Sequence, residues 1–202
     1  MIIISHRRNS VENLIGTPLE YGVEVDIRSN NGVLISQHDP FAQGDNFENW
    51  LSYYQHKMLI LNVKEEGLEA RLIELMQQHQ IVDYFFLDQS FPFLIKWSKL
   101  GERNCAVRVS EFESIETALT LAGKIDWAWV DYFSNFPLTG RDAKRLQDAG
   151  FKLCLVSPEL QDRPAEVEIP LLVKLLHKHS IKPEAICTKQ PELWKACLQS
   201  AI

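Results

Sequence analysis

The sequence predicts a compact (β/α)8 TIM barrel with a β-hairpin after its second strand. Short apolar runs alternate with segments of helical spacing almost to the end of the 202 residues, and the alternation counts as eight strand–helix units. Residues 29–32 (Ser-Asn-Asn-Gly) form a turn signal between two of the runs and so place the hairpin. A doubly wound open sheet would give the same alternation, so periodicity alone leaves that architecture open.

The predicted strands are the apolar runs themselves. The first two cover residues 2–5 and 23–27, and the hairpin strand that follows covers residues 33–37. The later runs occupy residues 58–63, 84–87, 105–109, 127–130, 152–156 and 184–188. All of these runs except the hairpin strand are expected to form the barrel.

The segments between these runs have the spacing of helices. They are residues 11–21, 47–55, 68–80, 91–101, 114–122, 139–149, 170–179 and 191–200. Ser10 can cap the first helix, Gly150 can end another, and Pro191 can open the last one. His56 and His79 are expected to be exposed at helix ends.

Length and composition indicate one domain with a sizeable core. The chain is 46% hydrophobic, and no linker rich in Pro, Gly or Ser and no block of charge divides it. We therefore predict that residues 1–202 form a single domain. Cys105, Cys154, Cys187 and Cys197 show no paired metal spacing, which favours reduced thiols in a cytosolic protein.

Charge and hydropathy exclude two classes of partner. A net charge of −6 and a pI near 5.5 argue against nucleic acid as the main partner. No apolar run approaches the ~20 residues that cross a bilayer, and residues 1–4 are too short for a secretory signal. We expect a cytoplasmic protein, with its oligomeric state left open.

Polar side chains interrupt or follow the first three apolar runs. His6 and Arg7 follow the first run, Glu24 and Asp26 lie two apart within the second, and His38 follows the third. Alternate residues of a strand share a face, so the two carboxylates point the same way. Barrel active sites lie at the C-terminal ends of the strands. Two imidazoles, an arginine and a carboxylate pair there predict a metal-assisted phosphoryl reaction.

Later strand ends add further polar side chains. Asn62 and Lys64 have the same parity in their run, so both can face the lumen of the barrel. The other strand-end residues are Asp88, Ser90, Arg108, Asp131, Ser157, Thr188 and Lys189. A scattered surface distribution would not place so many ionisable groups at one end of the repeats.

These motifs resemble the glycerophosphodiester phosphodiesterase family, within the phospholipase C-like phosphodiesterase superfamily. That family opens with His-Arg-Gly and Glu-Asn, continues with Gly-x-Glu-x-Asp and Asp/Asn-Gly, and then has His-Asp. The matching segments here are His6-Arg7, Glu12-Asn13, Gly22-Val23-Glu24-Val25-Asp26, Asn31-Gly32 and His38-Asp39. Arg8 stands where the family has its glycine. The resemblance is most specific in these first forty residues.

The later landmarks of the family are matched more loosely. Its Glu-x-Lys strand corresponds to Asn62-Val63-Lys64, its Ser-Phe to Ser90-Phe91, and its closing Thr-Asp-x-Pro to Thr188-Lys189-Gln190-Pro191. Family members usually carry a cap insertion between His-Asp and Glu-x-Lys. Only a short loop and one helix are predicted there in this chain, so it resembles a short member with a more open pocket.

The resemblance implies one divalent cation, Mg²⁺ or Ca²⁺, bound by three acidic side chains. Two of these carry over as Glu24 and Asp26, and the third position is Asn62. Hard oxygen ligands of this kind suit magnesium or calcium. Because the amide is neutral, we expect weaker metal binding than in the family at large.

The resemblance also implies phosphodiester hydrolysis by acid–base catalysis. His6 and His38 would exchange protons with the attacking oxygen and the leaving alcohol, in an order that the sequence leaves open. Arg7 and Lys64 would bind the non-bridging phosphate oxygens. The expected substrate is a small glycerophosphodiester-like molecule. Two alternatives are a weakened barrel that only binds a phosphorylated metabolite, and a lyase that releases a cyclic phosphate.

Overall fold

Strands and helices alternate along residues 1–200, the part of the chain that the computed structural model describes. These residues group into two compact units, one of which runs from Ser5 to Cys105. The other begins with Met1–Ile4 and resumes at Ala106. The prediction of a single domain over residues 1–202 stays a prediction, and its last two residues, Ala201 and Ile202, lie outside the described part.

The Ser5–Cys105 unit is built on a mixed sheet. It takes the last residue of β1 (Ile2–Ser5) and contains the following strands: β2 (Gly22–Asn30), β3 (Val33–Ser36), β4 (Asp45–Asn46), β5 (Leu59–Val63) and β6 (Tyr84–Leu87). Their order is β4-β3-β2-β5-β6, with β2, β5 and β6 parallel and β3 antiparallel to both of its neighbours. The helices are α1 (Val11–Ile15), α2 (Phe47–Leu51), α3 (Glu69–Gln78) and α4 (Phe91–Lys99).

The second unit repeats the strand–helix alternation. After β1 it contains β7 (Ala106–Val109), β8 (Trp127–Val130), β9 (Lys152–Val156) and β10 (Ala185–Thr188), in the order β1-β10-β9-β8-β7. Strands β10, β9, β8 and β7 pair in parallel with one another along this order. The helices are α5 (Ile115–Leu119), α6 (Gly140–Asp148), α7 (Ala165–Lys178) and α8 (Pro191–Ser200), with a 3-10 turn at Pro158–Gln161.

The predicted hairpin is confirmed between β2 and β3. Asn30 pairs with Val33, and the two turn residues Asn31 and Gly32 have φ values of 52° and 79°. Two successive left-handed residues are typical of the tight turn whose twist matches that of the flanking strands. The turn therefore fixes the register of β3 against β2.

Strand β2 is buried on both of its faces, and one face is polar. Val23, Val25 and Ile27 alternate with Glu24 and Asp26, and all five side chains are 0% exposed. Burying apolar side chains contributes about 25 cal/mol per Å² of area removed from water, and this holds the strand in place. The same alternation fixes the two carboxylates in the interior, where burial penalises their charge.

Three sequence expectations about helices and exposure were wrong. The first helix ends at Ile15 instead of residue 21, because Gly16 and Pro18 follow and neither favours continuing a helix. Helix α7 begins at Ala165, so Pro170 lies inside it and not at its start. His56 is only 7% exposed, because its ring packs at a tilt against Tyr54 and its Nε2 donates to the Thr17 carbonyl.

Within residues 1–200, no helix is both long enough and apolar enough to cross a membrane. Between β3 and β5 the chain forms loops, the two-residue strand β4 and the short helix α2. The predicted short connection in place of a cap is therefore confirmed for this segment.

Candidate active site

The two buried carboxylates of β2 form the floor of the candidate site. Parallel pairing of β2 with β5 sets Asp26 opposite Asn62, and the Asn62 side chain is buried as well. The Asn62 amide Nδ2 donates a 2.9 Å hydrogen bond to Glu24 Oε1. The structure thus brings together all three residues that the sequence proposes as metal ligands.

His6 and Arg7 lie in the loop after β1 and contact this floor. Arg7 has a φ of 53°, a left-handed conformation that is uncommon for any residue but glycine and a few others. In this conformation its backbone N–H donates a 2.6 Å hydrogen bond to Glu24 Oε2. His6 Nε2 lies 3.8 Å from the same oxygen. Arg7 and His6 therefore hold the loop after β1 against Glu24.

Asp26 is surrounded by nitrogen donors. Lys64 Nζ lies 3.2 Å from its Oδ1, and Arg7 Nε lies 3.8 Å from its Oδ2. The sequence did not point to Asn9, which brackets Asp26: its Nδ2 donates to Asp26 Oδ2 at 2.8 Å, and its Oδ1 accepts from the Asp26 backbone N–H at 2.9 Å. The only available signal was the position of Asn9 in the loop directly after His6 and Arg7.

Lys64 bridges two carboxylates at the ends of neighbouring strands. Besides Asp26, its Nζ lies 3.4 Å from Oδ2 of Asp88, the residue that follows β6. Asp88 has a φ of 60°, so a second left-handed residue shapes the rim of the site. The Lys64 side chain is 16% exposed and the Asp88 side chain 27%. Lys64 is therefore a partly accessible cation held between acidic groups.

His38 reaches the same cluster from the hairpin side. Its Nε2 lies 2.6 Å from Arg7 Nη2, and its Nδ1 lies 2.7 Å from Asp39 Oδ1. Arg28 Nε donates to the His38 backbone carbonyl at 3.0 Å. The imidazole is thus fixed through both ring nitrogens, and every catalytic, phosphate-binding and metal-binding residue that the sequence proposes lies in the Ser5–Cys105 unit.

The carboxylate pair is electrostatically strained. Burial and, to a smaller extent, the neighbouring Asp26 carboxylate raise the pKa of Glu24 to about 8, although the hydrogen bonds from Arg7 and Asn62 and the charge of Lys64 lower it. A nearby cation acts in the opposite direction, because it favours the ionised form of a carboxyl group. The floor of the site is therefore a place where additional positive charge would be stabilised.

The donor set suits a hard divalent cation. Asn62 Oδ1 is buried and has no hydrogen-bond partner among the described residues, which leaves an oxygen acceptor unsatisfied beside two carboxylates. Within residues 1–200, no group of three or more His, Cys, Asp or Glu side chains is placed to hold a metal. The set is instead two carboxylates and an amide oxygen, all of which are ligand types for magnesium or calcium.

The strand ends of the second unit carry a separate polar network. Arg108 Nη1 donates to Asp131 Oδ2 at 3.3 Å, and Gln161 Nε2 donates to Asp131 Oδ1 at 2.7 Å. Glu159, which the sequence did not single out, accepts from Thr188 Oγ1, from Ser157 Oγ and, at 2.8 Å, from the Lys189 backbone N–H. Both carboxylates accept hydrogen bonds from residues of their own unit, so we interpret the network as stabilising the strand ends.

Comparisons with known proteins give the fold. No family profile matches the chain, and no curated protein sequence matches it. Over 100% of this chain and 98% of its own, a solved structure assigned as a glycerophosphoryl diester phosphodiesterase from Agrobacterium tumefaciens strain C58 aligns with a TM-score of 0.69 at 15% identity.

Two further solved structures agree. A glycerophosphoryl diester phosphodiesterase from Parabacteroides distasonis ATCC 8503 aligns with a TM-score of 0.68 at 14% sequence identity, over 100% of this chain and 87% of its own. A glycerophosphodiester phosphodiesterase from A. tumefaciens strain C58 aligns with a TM-score of 0.66 at 13% sequence identity, over 98% of this chain and 99% of its own. The likeness excludes the open doubly wound sheet, and the chain has the (β/α)8 barrel fold that these glycerophosphodiester phosphodiesterases share.

Proposed function

We propose that this protein is a metal-dependent phosphodiesterase of the glycerophosphodiester phosphodiesterase type, acting on a small phosphodiester. The observation that carries the proposal is the convergence of His6, Arg7, His38 and Lys64 on the buried Glu24–Asp26 pair. The whole-length likeness to three structures of that name supports it. Two imidazoles beside two cations and a carboxylate pair supply the groups that phosphodiester hydrolysis needs.

Arg7 and Lys64 are the phosphate-binding residues of the proposal. Their side chains are 44% and 16% exposed, and each is held within 4 Å of Asp26. A phosphodiester anion that entered the site would compete with these carboxylate contacts for the N–H donors. Charge-assisted hydrogen bonds to the non-bridging oxygens would then stabilise the charge that develops as phosphorus becomes five-coordinate.

His6 and His38 are the proton-transfer residues. One imidazole takes a proton from the attacking water while the other donates a proton to the departing alcohol oxygen. His6 Nε2 lies 3.8 Å from Glu24 Oε2, and the His38 ring is held by Arg7 and Asp39. The new P–O bond comes from water and the broken P–O bond releases the alcohol, so no covalent intermediate with the enzyme is required.

Glu24, Asp26 and Asn62 would hold the divalent cation, either Mg²⁺ or Ca²⁺. When bound, the cation would neutralise developing negative charge on the phosphoryl oxygens. Asn62 supplies an amide oxygen in place of a third carboxylate, so the set carries one negative charge fewer and is expected to bind the cation more weakly. The cytoplasmic location, the small-molecule partner and the irrelevance of nucleic acid stay predictions from the sequence.

The test is metal-dependent release of alcohol from a panel of glycerophosphodiesters and from bis-(p-nitrophenyl) phosphate. Wild type is compared with His6→Ala and with Glu166→Gln, an exposed charge on α7 far along the chain. Turnover that needs Mg²⁺ or Ca²⁺ and His6, and that survives Glu166→Gln, would support the proposal. Phosphorus NMR of the products would separate hydrolysis from transfer that releases a cyclic phosphate.

A non-catalytic alternative is favoured by one observation. Position 62 is a neutral asparagine, so the site has two carboxylates, and one oxygen of Glu24 already accepts a hydrogen bond from the Asn62 amide. A folded protein that bound a phosphomonoester, yet turned over none of the diesters with any cation, would fit a barrel that binds a phosphorylated metabolite. The retained pair His6 and His38 argues against this alternative, because binding alone needs neither proton donor nor proton acceptor.

A further inference from the structure

The imidazole of His38 is held from three sides within the Ser5–Cys105 unit. Asp39 Oδ1 lies 2.7 Å from Nδ1, Arg7 Nη2 lies 2.6 Å from Nε2, and Arg28 Nε donates to the backbone carbonyl of His38 at 3.0 Å. Asp39, Arg7 and Arg28 all carry charged side chains. The His38 side chain is 35% exposed and that of Asp39 is 73% exposed, so the arrangement lies at an accessible rim.

The two ring contacts determine where the imidazole proton lies. A guanidinium carries only donors, so the nitrogen that faces Arg7 must be the acceptor. An ionised carboxylate carries only acceptors, so the nitrogen that faces Asp39 must be the donor. The hydrogen bond from His38 lowers the pKa of Asp39, which keeps this carboxyl group ionised. The two contacts are therefore those of an imidazole with its proton on Nδ1 and its lone pair on Nε2.

We propose that Asp39 is a positioning residue that holds His38 in the Nδ1–H tautomer, so that Nε2 is the proton-accepting atom of the reaction and Arg7 covers it until phosphate binds. This proposal rests on the proposed function, because it assigns the roles of the two histidines within that reaction. His38 becomes the general base, and His6 is left to protonate the leaving alcohol.

The proposal gives Arg7 a second role besides phosphate binding. In the resting site its guanidinium occupies the lone pair that the base needs. A phosphate oxygen is an anionic acceptor that competes for the same N–H group. When Arg7 turns to the phosphate, Nε2 is free to accept a proton from the attacking water, the water oxygen bonds to phosphorus, and the ester P–O bond breaks with a proton from His6 going to the alcohol.

The first test reads the tautomer directly and requires no turnover. Protein labelled with ¹⁵N in its histidines is examined by long-range ¹H–¹⁵N NMR at pH ~8, where an ordinary imidazole is neutral. The His38 signals are assigned by their loss in His38→Gln. We expect a protonated Nδ1 and an unprotonated Nε2 in wild type, and a shift toward protonated Nε2 in Asp39→Asn, whose amide can donate to Nδ1. A wild-type His38 protonated at Nε2 would overturn the proposal.

The second test separates positioning from structure. We expect Asp39→Asn to lower kcat about 10- to 100-fold with little change in KM, and Asp39→Glu to recover part of the loss, because general-base catalysis contributes about 10²- to 10⁴-fold. Glu166→Gln is the matched loss of one exposed carboxylate and should leave kcat unchanged. An unaltered tautomer and kcat in Asp39→Asn would overturn the proposal. A wild type without turnover would instead defeat the proposed function, while the NMR result would still decide the role of Asp39.

Discussion

Asn62 and Glu24 are joined across strands β5 and β2 by a 2.9 Å hydrogen bond from the amide Nδ2 to Oε1. The contact leaves Asn62 Oδ1 buried without a hydrogen-bond partner among the described residues. An unsatisfied buried acceptor costs about 1–3 kcal/mol, so the arrangement is one that a cation could relieve. We therefore expect this pair to determine how tightly the proposed site binds a divalent cation.

Replacing Asn62 by glutamate should therefore strengthen the metal site. Asn62→Glu adds the third carboxylate beside Glu24 and Asp26, and we expect the Kd for Mg²⁺ or Ca²⁺ to fall at least tenfold and activity at limiting metal to rise. Isothermal titration calorimetry and metal-dependent turnover measure the two effects. Gln77→Glu, an added charge on the exposed side of α3, is the control. Unchanged affinity and activity in Asn62→Glu would exclude position 62 as a ligand.

Binding of a metal ion should also stabilise the folded protein against heat. A cation that binds only the folded state at 100 times its Kd adds about 2.7 kcal/mol to the free energy of unfolding. We expect Tm to rise on addition of Mg²⁺ or Ca²⁺ to protein treated with EDTA, and the rise to be abolished in Asp26→Asn. A Tm that responds equally in wild type and in Asp26→Asn would point to binding elsewhere on the chain.

Replacing Arg7 by lysine should lower the activity. Arg7→Lys keeps the positive charge but loses the planar fork that contacts both Asp26 and His38. We expect kcat/KM to fall about 10- to 100-fold, which corresponds to about 1.4–2.7 kcal/mol of transition-state stabilisation. Steady-state kinetics give the result, with Arg71→Lys on the exposed face of α3 as the matched control. Equal effects in the two variants would contradict a specific role for the Arg7 guanidinium.

His56 should make the fold sensitive to acid. Burial lowers the pKa of His56, against the hydrogen bond to Thr17 O that raises it. Because its pKa is lower in the folded than in the unfolded protein, the neutral ring stabilises the fold above pH ~6.5, and this contribution is lost as the pH falls through the folded pKa. We expect Tm to fall with acidification more steeply in wild type than in His56→Gln. His79→Gln, at an exposed helix end, is the control; equal slopes in wild type and His56→Gln would refute the prediction.

Much of the site could be predicted because it lies in local patterns. The parity of Glu24 and Asp26 in one apolar run places both on one face of a strand, and the strand-end positions of His6 and His38 place both near a barrel's active face. The turn residues Asn31 and Gly32 predict the hairpin that presents His38. Each of these inferences needs only neighbours a few residues apart.

Other parts of the site have no local signature. Asn9 brackets Asp26 only because the loop after β1 turns through the left-handed Arg7, and Asp88 reaches Lys64 only because β5 and β6 pair in one register. The burial of His56 likewise depends on Thr17 and Tyr54 folding over it. The sequence around a polar loop residue does not indicate whether its side chain faces solvent or contacts a carboxylate.

By itself the sequence determined the alternation of strands and helices, the hairpin, and the residues that could carry phosphodiester chemistry. It did so because side-chain periodicity and turn conformations are properties of short segments. Only the tertiary structure decided that Arg7 covers His38 Nε2, that Asp39 holds Nδ1, and that Asn62 turns its N–H toward Glu24. These contacts join residues that are distant in the sequence or lie in loops, so they depend on strand register and loop conformation, which local patterns do not specify.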